Sequence, residues 1–158
     1  MKKTGWSIWK KRIGRQFLWG ILLCLFSDAL ASTAESKSAL PQGGQVVGGK
    51  VTIATPTSSQ MTIKQETSRA AINWQSFDVG GNAHVAIQQP GADSTLLNRV
   101  VGSKMSEVAG KITANGNVIL VNPNGIIFKN GALIDVGGIL SSTRDVDPDN
   151  FMKGGKLI

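Results

Sequence analysis

The clearest pattern lies between Gly110 and Ile139, where short apolar runs alternate with Asn-Gly pairs. Val118–Val121, Ile126–Phe128 and Leu133–Val136 read as strands, set off by corners at Asn115-Gly116, Asn122-Pro123-Asn124-Gly125 and Asn130-Gly131. The four residues from Asn122 suit a type I turn. Asn bonds its own backbone at the first position, Pro presets the second φ, Asn tolerates the third place and Gly closes the turn. Three strands and three corners fit one coil of a parallel β-helix. Asn-Gly between apolar runs is also a hairpin signal. The unbroken run Val118–Val121 argues mildly against solvated hairpins, because it predicts burial on both faces. The pattern predicts strand throughout and leaves the two topologies open.

The rest of the chain continues the theme. Gln45–Ala54 reads as two short strands interrupted by Gly48-Gly49, with Val51 and Ile53 on one face. Thr55–Ser59 is expected to turn, and Met61 and Ile63 then alternate with polar residues in a half-buried strand. Ala71–Phe77 is apolar and aromatic, and Asp78–Asn82 supplies a Gly-rich corner. Ala83, Val85 and Ile87 share one face, opposite His84, Ala86 and Gln88, until Gln89-Pro90-Gly91 breaks the strand. Leu96–Val101 is another short apolar segment, and Ser103–Ala109 is expected to form one helical turn. These spacings predict an all-β chain with a single domain over residues 40–158. The segment 32–39 is polar and small, the composition of a flexible start. The last residues, Lys156-Leu157-Ile158, are strand-like without a polar cap, so the domain is expected to be incomplete at its C-terminal end, as a fragment or a truncated gene product.

The beginning has a different character. Lys2, Lys3, Lys10, Lys11, Arg12 and Arg15 precede the apolar run Phe17–Phe26, and the small residues Ala29 and Ala31 follow. The run is shorter than the roughly 20 residues that a spanning helix needs. Residues 1–31 therefore read as a signal peptide cleaved after Ala31, with Ala34 as the alternative end. An uncleaved anchor and a lipoprotein signal fit less well, given Asp28 and the apolar residues on both sides of Cys24. Export changes the charge argument. The chain is formally +7, but residues 1–31 hold six of its 17 basic residues and one of its ten acids, so the remainder is close to neutral at +2. No basic cluster is left, and no nucleic-acid partner is expected. The single cysteine and three of the four tryptophans also lie in the leader, leaving Trp74. The mature part has no disulfide to make.

An ordered series of motifs then carries a resemblance. Leu40-Pro41 with Gly43-Gly44 is followed by Ile72-Asn73-Trp74-Gln75-Ser76-Phe77 and Val79-Gly80. Next come Gln89-Pro90, Leu97-Asn98-Arg99-Val100 and Ala114-Asn115-Gly116. Asn122-Pro123-Asn124-Gly125-Ile126 with Phe128, Val136-Gly137-Gly138 and Ser141-Ser142-Thr143 complete it. From about Leu40 to Phe151 the chain resembles the N-terminal secretion domain of the filamentous haemagglutinin family, the exported partners of two-partner secretion. The resemblance implies a right-handed parallel β-helix, export by the Sec machinery with signal-peptidase cleavage, and passage through the periplasm of a Gram-negative bacterium. It further implies binding to the periplasmic modules of a dedicated outer-membrane β-barrel transporter, leading to secretion or cell-surface display. The family's secretion motif falls on Asn122, Pro123, Asn124, Gly125 and Ile126, which either holds a corner needed for folding or presents the recognised surface. Trp74, Phe77, Asn98, Arg99 and Asn115 are candidate supporting contacts or core. The family's long repetitive body and its second Asn-Pro-Asn-Leu element have no counterpart here, so host-cell or bacterial-surface ligands would belong to regions beyond this chain.

Other chemistry has little to stand on. His84 is the single histidine and reads as a solvated polar residue, and no zinc set or phosphate-binding loop is present. Asp145, Asp147 and Asp149 alternate but lack the Gly and final Glu of a calcium loop, so they read as a solvated acidic loop. No metal, cofactor or catalytic residue is expected. A carbohydrate- or cell-binding surface protein, with Trp74 and Phe77 as a sugar platform, is the alternative function. A β-helix polysaccharide lyase ranks behind it.

Overall fold

The computed structural model describes residues 37–155, within the compact unit Ala34–Ile158. The expected signal peptide 1–31 with Ala29 and Ala31, the first part of the flexible segment and the strand-like Lys156-Leu157-Ile158 lie outside the described residues.

The chain winds as a parallel β-helix. After an opening pair, β1 (Gln45–Gly48) and β2 (Val51–Thr57), come β3 (Gln60–Gln65) and β4 (Arg69–Trp74). The next coil takes β5 (His84–Gln88), β6 (Thr95–Val100) and β7 (Ser106–Val108). β8 (Lys111–Ala114), β9 (Asn117–Val121) and β10 (Ile126–Phe128) follow, then β11 (Leu133–Asp135) and β12 (Gly138–Ser142). Equivalent strands of successive coils stack into three faces, in the orders β1-β4-β6-β9-β12, β2-β3-β5-β8-β11 and β7-β10. Val79 extends the short third face by a parallel bridge to Val108. Arg69 pairs with Thr95, Thr95 with Asn117 and Asn117 with Gly138, so successive coils consume 26, 22 and 21 residues. Parallel pairing of β9 with β12 excludes the hairpin reading of the Asn-Gly corners.

Register makes the interior. Met61, Val85, Ile112 and Ile134 form one stacked row, and Ile63, Ile87 and Ala114 the next. Ala70, Leu96 and Val118 face them from the opposite sheet, and Ile139 continues their register but is exposed. Each fully buried aliphatic side chain contributes about 1.5–3 kcal/mol of apolar burial. Two antiparallel strands close the first coil: β1 lies against β4 and β2 against β3. Gly49 sits between β1 and β2 at φ +72°, where an added Cβ would stand 2.5 Å from the Arg69 carbonyl oxygen. Only glycine fits that bend.

A second apolar cluster lies on the outside of the first sheet, where Ala71, Leu97, Ile119 and Val121 meet Val146 and Phe151. These last two belong to a strap that ends in α1 (Pro148–Met152), capped by the Asp147 side chain. The Arg69 guanidinium lies 5.3 Å from the Phe151 ring centroid and donates to the Phe151 carbonyl at 2.8 Å. Burial on both faces explains the unbroken run Val118–Val121.

Three expectations need correction. Ser103–Ala109 contains strand β7 rather than a helical turn, because Ser106 and Val108 point inward and Glu107 outward, a period of two. Thr55–Thr57 belongs to β2, and the turn contracts to Ser58-Ser59. Pro56 is tolerated because β2 is an edge strand and its register is broken between Ala54 and Thr57. Asp78–Asn82 is not all corner, since Val79 joins the third face. The acids Asp145, Asp147 and Asp149 are exposed, as expected of a solvated loop, and two of them also have structural partners: Asp147 caps α1 and Asp145 pairs with Arg99.

Candidate functional site

The corner Asn122–Ile126 joins β9 to β10. Asn122 is 0% exposed, whereas Pro123 and Asn124 are exposed. The turn closes by donation from the Gly125 N–H to the Asn122 carbonyl at 3.1 Å, with the Asn122 side-chain oxygen accepting from the Asn124 N–H at 2.9 Å. That is the local geometry expected from Asn-Pro-Asn-Gly. Gly125 takes φ +114°, a conformation that L side chains rarely adopt.

The same residue ties neighbouring coils together. Asn122 Nδ2 donates to the Lys104 carbonyl and to Ser106 Oγ, both at 2.9 Å, and Ser106 is itself fully buried. The Asn122 backbone N–H donates to the Ser142 carbonyl at 3.0 Å in the following coil. Asn124 Nδ2 reaches the Gly102 carbonyl at 2.9 Å, and the Gly125 carbonyl accepts from the Ser106 N–H at 2.9 Å. Ile126 is half-buried against the main core. The corner therefore braces the loop before β7 from below. Beside it runs a groove of about 610 Å³ whose lining includes Asp78, Lys104, Met105, Glu107 and Lys129. Lys129 and Glu107 form an ion pair across its rim.

The other candidate residues disperse. Trp74 and Phe77 are 1% exposed each and meet edge to face with centroids 5.7 Å apart. Their burial leaves no open platform for a sugar. Asn98 lies within the same core, where its side-chain oxygen accepts from Trp74 Nε1 at 3.0 Å, so this buried polar side chain is satisfied. Arg99 points outward and forms a two-pronged pair with Asp145, both contacts at 2.6 Å. That hydrogen-bonded pairing raises the arginine pKa and holds the Asp145 carboxyl below its usual range. Asn115 sits at the opposite corner, bonded through its side chain to the backbone N–H and carbonyl of Gln89 at 2.7 and 2.8 Å.

His84 is half-buried on the outer face and lies 2.9 Å from Thr113 Oγ1. Burial, and then the charge of Lys111, lower its pKa. Among the described residues no three His, Cys, Asp or Glu side chains come together in a metal-binding group.

Several participants escape sequence reasoning. Gln65, the last residue of β3, and Gln89, just after β5, are both buried: Gln89 Nε2 donates to Gln65 Oε1 at 3.1 Å, and Gly116 N–H donates to Gln89 Oε1 at 2.9 Å. Beyond the Gln89-Pro90 motif, their sequence signal is a glutamine recurring at the ends of strands that stack. Ser106 and the Gly102 and Lys104 carbonyls carried no signal, because backbone acceptors are invisible in side-chain identity.

Comparison with known proteins places this geometry among relatives. The family model of the TPS secretion domain matches residues 37–158. Two curated Haemophilus influenzae proteins, each named Heme/hemopexin-binding protein, are 42% and 43% identical over 127 residues. The first of them is from strain Rd. The alignments cover 80% of this chain but only 14% and 13% of the relatives, so the chain spans about a seventh of their length. Among solved structures, the HMW1 secretion domain from Haemophilus influenzae superposes with a TM-score of 0.67 at 33% identity. That match covers 72% of this chain and 30% of the other.

Proposed function

From the premise that the chain belongs to the TPS secretion domain family, we propose that its Asn122–Ile126 corner works in two layers when the domain meets its transporter. The domain is a secretion module of an exported two-partner-secretion protein, and such domains interact with a dedicated outer-membrane transporter. In the reading proposed here, Asn122 is the inner layer and holds the corner and the loop before β7 in shape. Pro123 and Asn124 form the outer layer and lie within the surface that the transporter's periplasmic modules contact. The observation that supports this division is the full burial of Asn122 beside two exposed neighbours. Recognition rather than catalysis is the role assigned to this domain.

The route completes the reading. The chain enters the periplasm through the Sec machinery, loses residues 1–31 to signal peptidase after Ala31, and crosses the outer membrane through the transporter. The heme or hemopexin binding for which the relatives are named is assigned to the part of such proteins that lies beyond this domain.

Secretion assays on intact cells test the proposal. Asn122→Ala and Asn124→Ala are each expected to reduce surface appearance while leaving periplasmic export intact. Normal surface levels for both variants would overturn it.

A further inference from the structure

We infer that Asn130 is a site of spontaneous deamidation, set apart by the fold from two other Asn-Gly pairs of the same sequence type. The pairs are Asn115-Gly116, Asn124-Gly125 and Asn130-Gly131. In this reaction the backbone nitrogen of the glycine attacks the asparagine side-chain carbonyl carbon. A ring N–C bond forms, the bond to Nδ2 breaks, and ammonia leaves with a proton from the glycine amide. Water then opens the cyclic imide to aspartate or to isoaspartate, in which the backbone runs through the side-chain carbon. The chemistry needs only water. It does need a side chain free to rotate and a glycine nitrogen free to approach.

The fold withholds both from two of the pairs. Asn115 is held by its two side-chain bonds to Gln89, and the Gly116 N–H donates to the buried Gln89 Oε1. Asn124 Nδ2 is engaged by the Gly102 carbonyl and by Asn122 Oδ1, and the Gly125 N–H closes the turn onto the Asn122 carbonyl. Asn130 differs in each respect. It is exposed, and its side chain makes no hydrogen bond among the described residues. The Gly131 N–H has no backbone acceptor among the described residues, and a Cβ added at that glycine would meet no atom beyond its chain neighbours within 4 Å. The neighbouring bond at this corner runs instead from the Ala132 N–H to the Lys129 carbonyl.

Conversion would change the surface locally. A new carboxylate would appear beside Lys129, which is already paired with Glu107 on the groove rim. An isoaspartate would also lengthen the backbone between β10 and β11, just where Leu133 enters register with Lys111.

Peptide mass mapping tests the inference. Cleavage after lysine and arginine puts Asn130 in peptide 130–144, apart from Asn115 and Asn124 in peptide 112–129. The purified full chain is aged at mildly alkaline pH, folded and in denaturant, with zero-time digests as controls. In denaturant all three pairs should convert at comparable rates. In the folded chain Asn130 should keep that rate, while Asn115 and Asn124 slow by about tenfold or more, since each must first break several hydrogen bonds. Asn130→Ser should abolish the mass change in peptide 130–144. The inference is overturned if folding protects Asn130 as strongly as Asn115, or if folding leaves all three rates alike.

Discussion

Replacing Asn122 by alanine removes an amide that makes four hydrogen bonds, two donated to the Lys104 carbonyl and Ser106 Oγ and two accepted from Asn124. Their losses are unequal. Asn124 is exposed, so water can replace its partner, and the net cost there is a fraction of a typical bond. The Ser106 hydroxyl is buried and would lose its Asn122 partner, at about 1–3 kcal/mol. With the remaining bonds at about 1 kcal/mol or less each, the total is about 3 kcal/mol. For a domain of this size that lowers Tm by on the order of 10 °C. Asn124→Ala keeps its backbone N–H and loses one exposed and one part-buried contact of an exposed side chain, so it should cost less than about 1 kcal/mol. Denaturant unfolding of the two variants and of Ser106→Ala gives the numbers. Adding Ser106→Ala to Asn122→Ala should cost less than Ser106→Ala alone, because the pair is coupled through one hydrogen bond. An Asn122→Ala variant within about 0.5 kcal/mol of wild type, the range of an ordinary surface change, would refute the bracing role.

Three further outcomes follow from the same geometry. Trp74→Phe should destabilise by about 2 kcal/mol, because it strands the buried Asn98 side-chain oxygen; urea titration followed by circular dichroism would show it, and an unchanged midpoint would count against the bond. Asp145 has a folded pKa depressed mainly by its hydrogen bonds from Arg99. Its contribution is therefore present above the unfolded value near 3.8 and lost as pH falls through the folded one. Asp145→Asn should remove that acid-side slope and cost less than about 1 kcal/mol at neutral pH, given the exposure of the pair. The single histidine allows a clean NMR titration: His84 should titrate below 6.5, and Lys111→Gln should move its midpoint upward. Since the folded pKa is the lower one, this group's contribution to stability is complete above 6.5 and declines as pH falls below it.

The strands and the Asn122 turn were legible because they rest on local rules. Alternation at Met61 and Ile63 and at Val85 and Ile87 needs only a period of two, and Asn-Pro-Asn-Gly needs only its own four residues. The topology was less so, since an Asn-Gly corner serves a hairpin and a β-helix alike; the family resemblance, rather than the pattern, favoured the coil. Ser106–Val108 was misread because three residues are too few to display a period. The strap and α1 were missed because Val146 and Phe151 cover a face that exists only after the coils have stacked. Asn122 illustrates the limit within the motif itself. Its turn could be read from sequence, while its bond to Ser106 in the preceding coil depends on a coil length that no local signal states.

The most direct test of the two-layer account is the affinity of the folded chain for the transporter's periplasmic modules, measured by calorimetry with wild type and with a Pro123→Ala, Asn124→Ala double variant. The account predicts that the double variant keeps its Tm within a few degrees and binds at least about tenfold more weakly, the loss of about 1.4 kcal/mol of contact. A folded double variant that binds as tightly as wild type would contradict it, and would leave the corner as a purely internal brace.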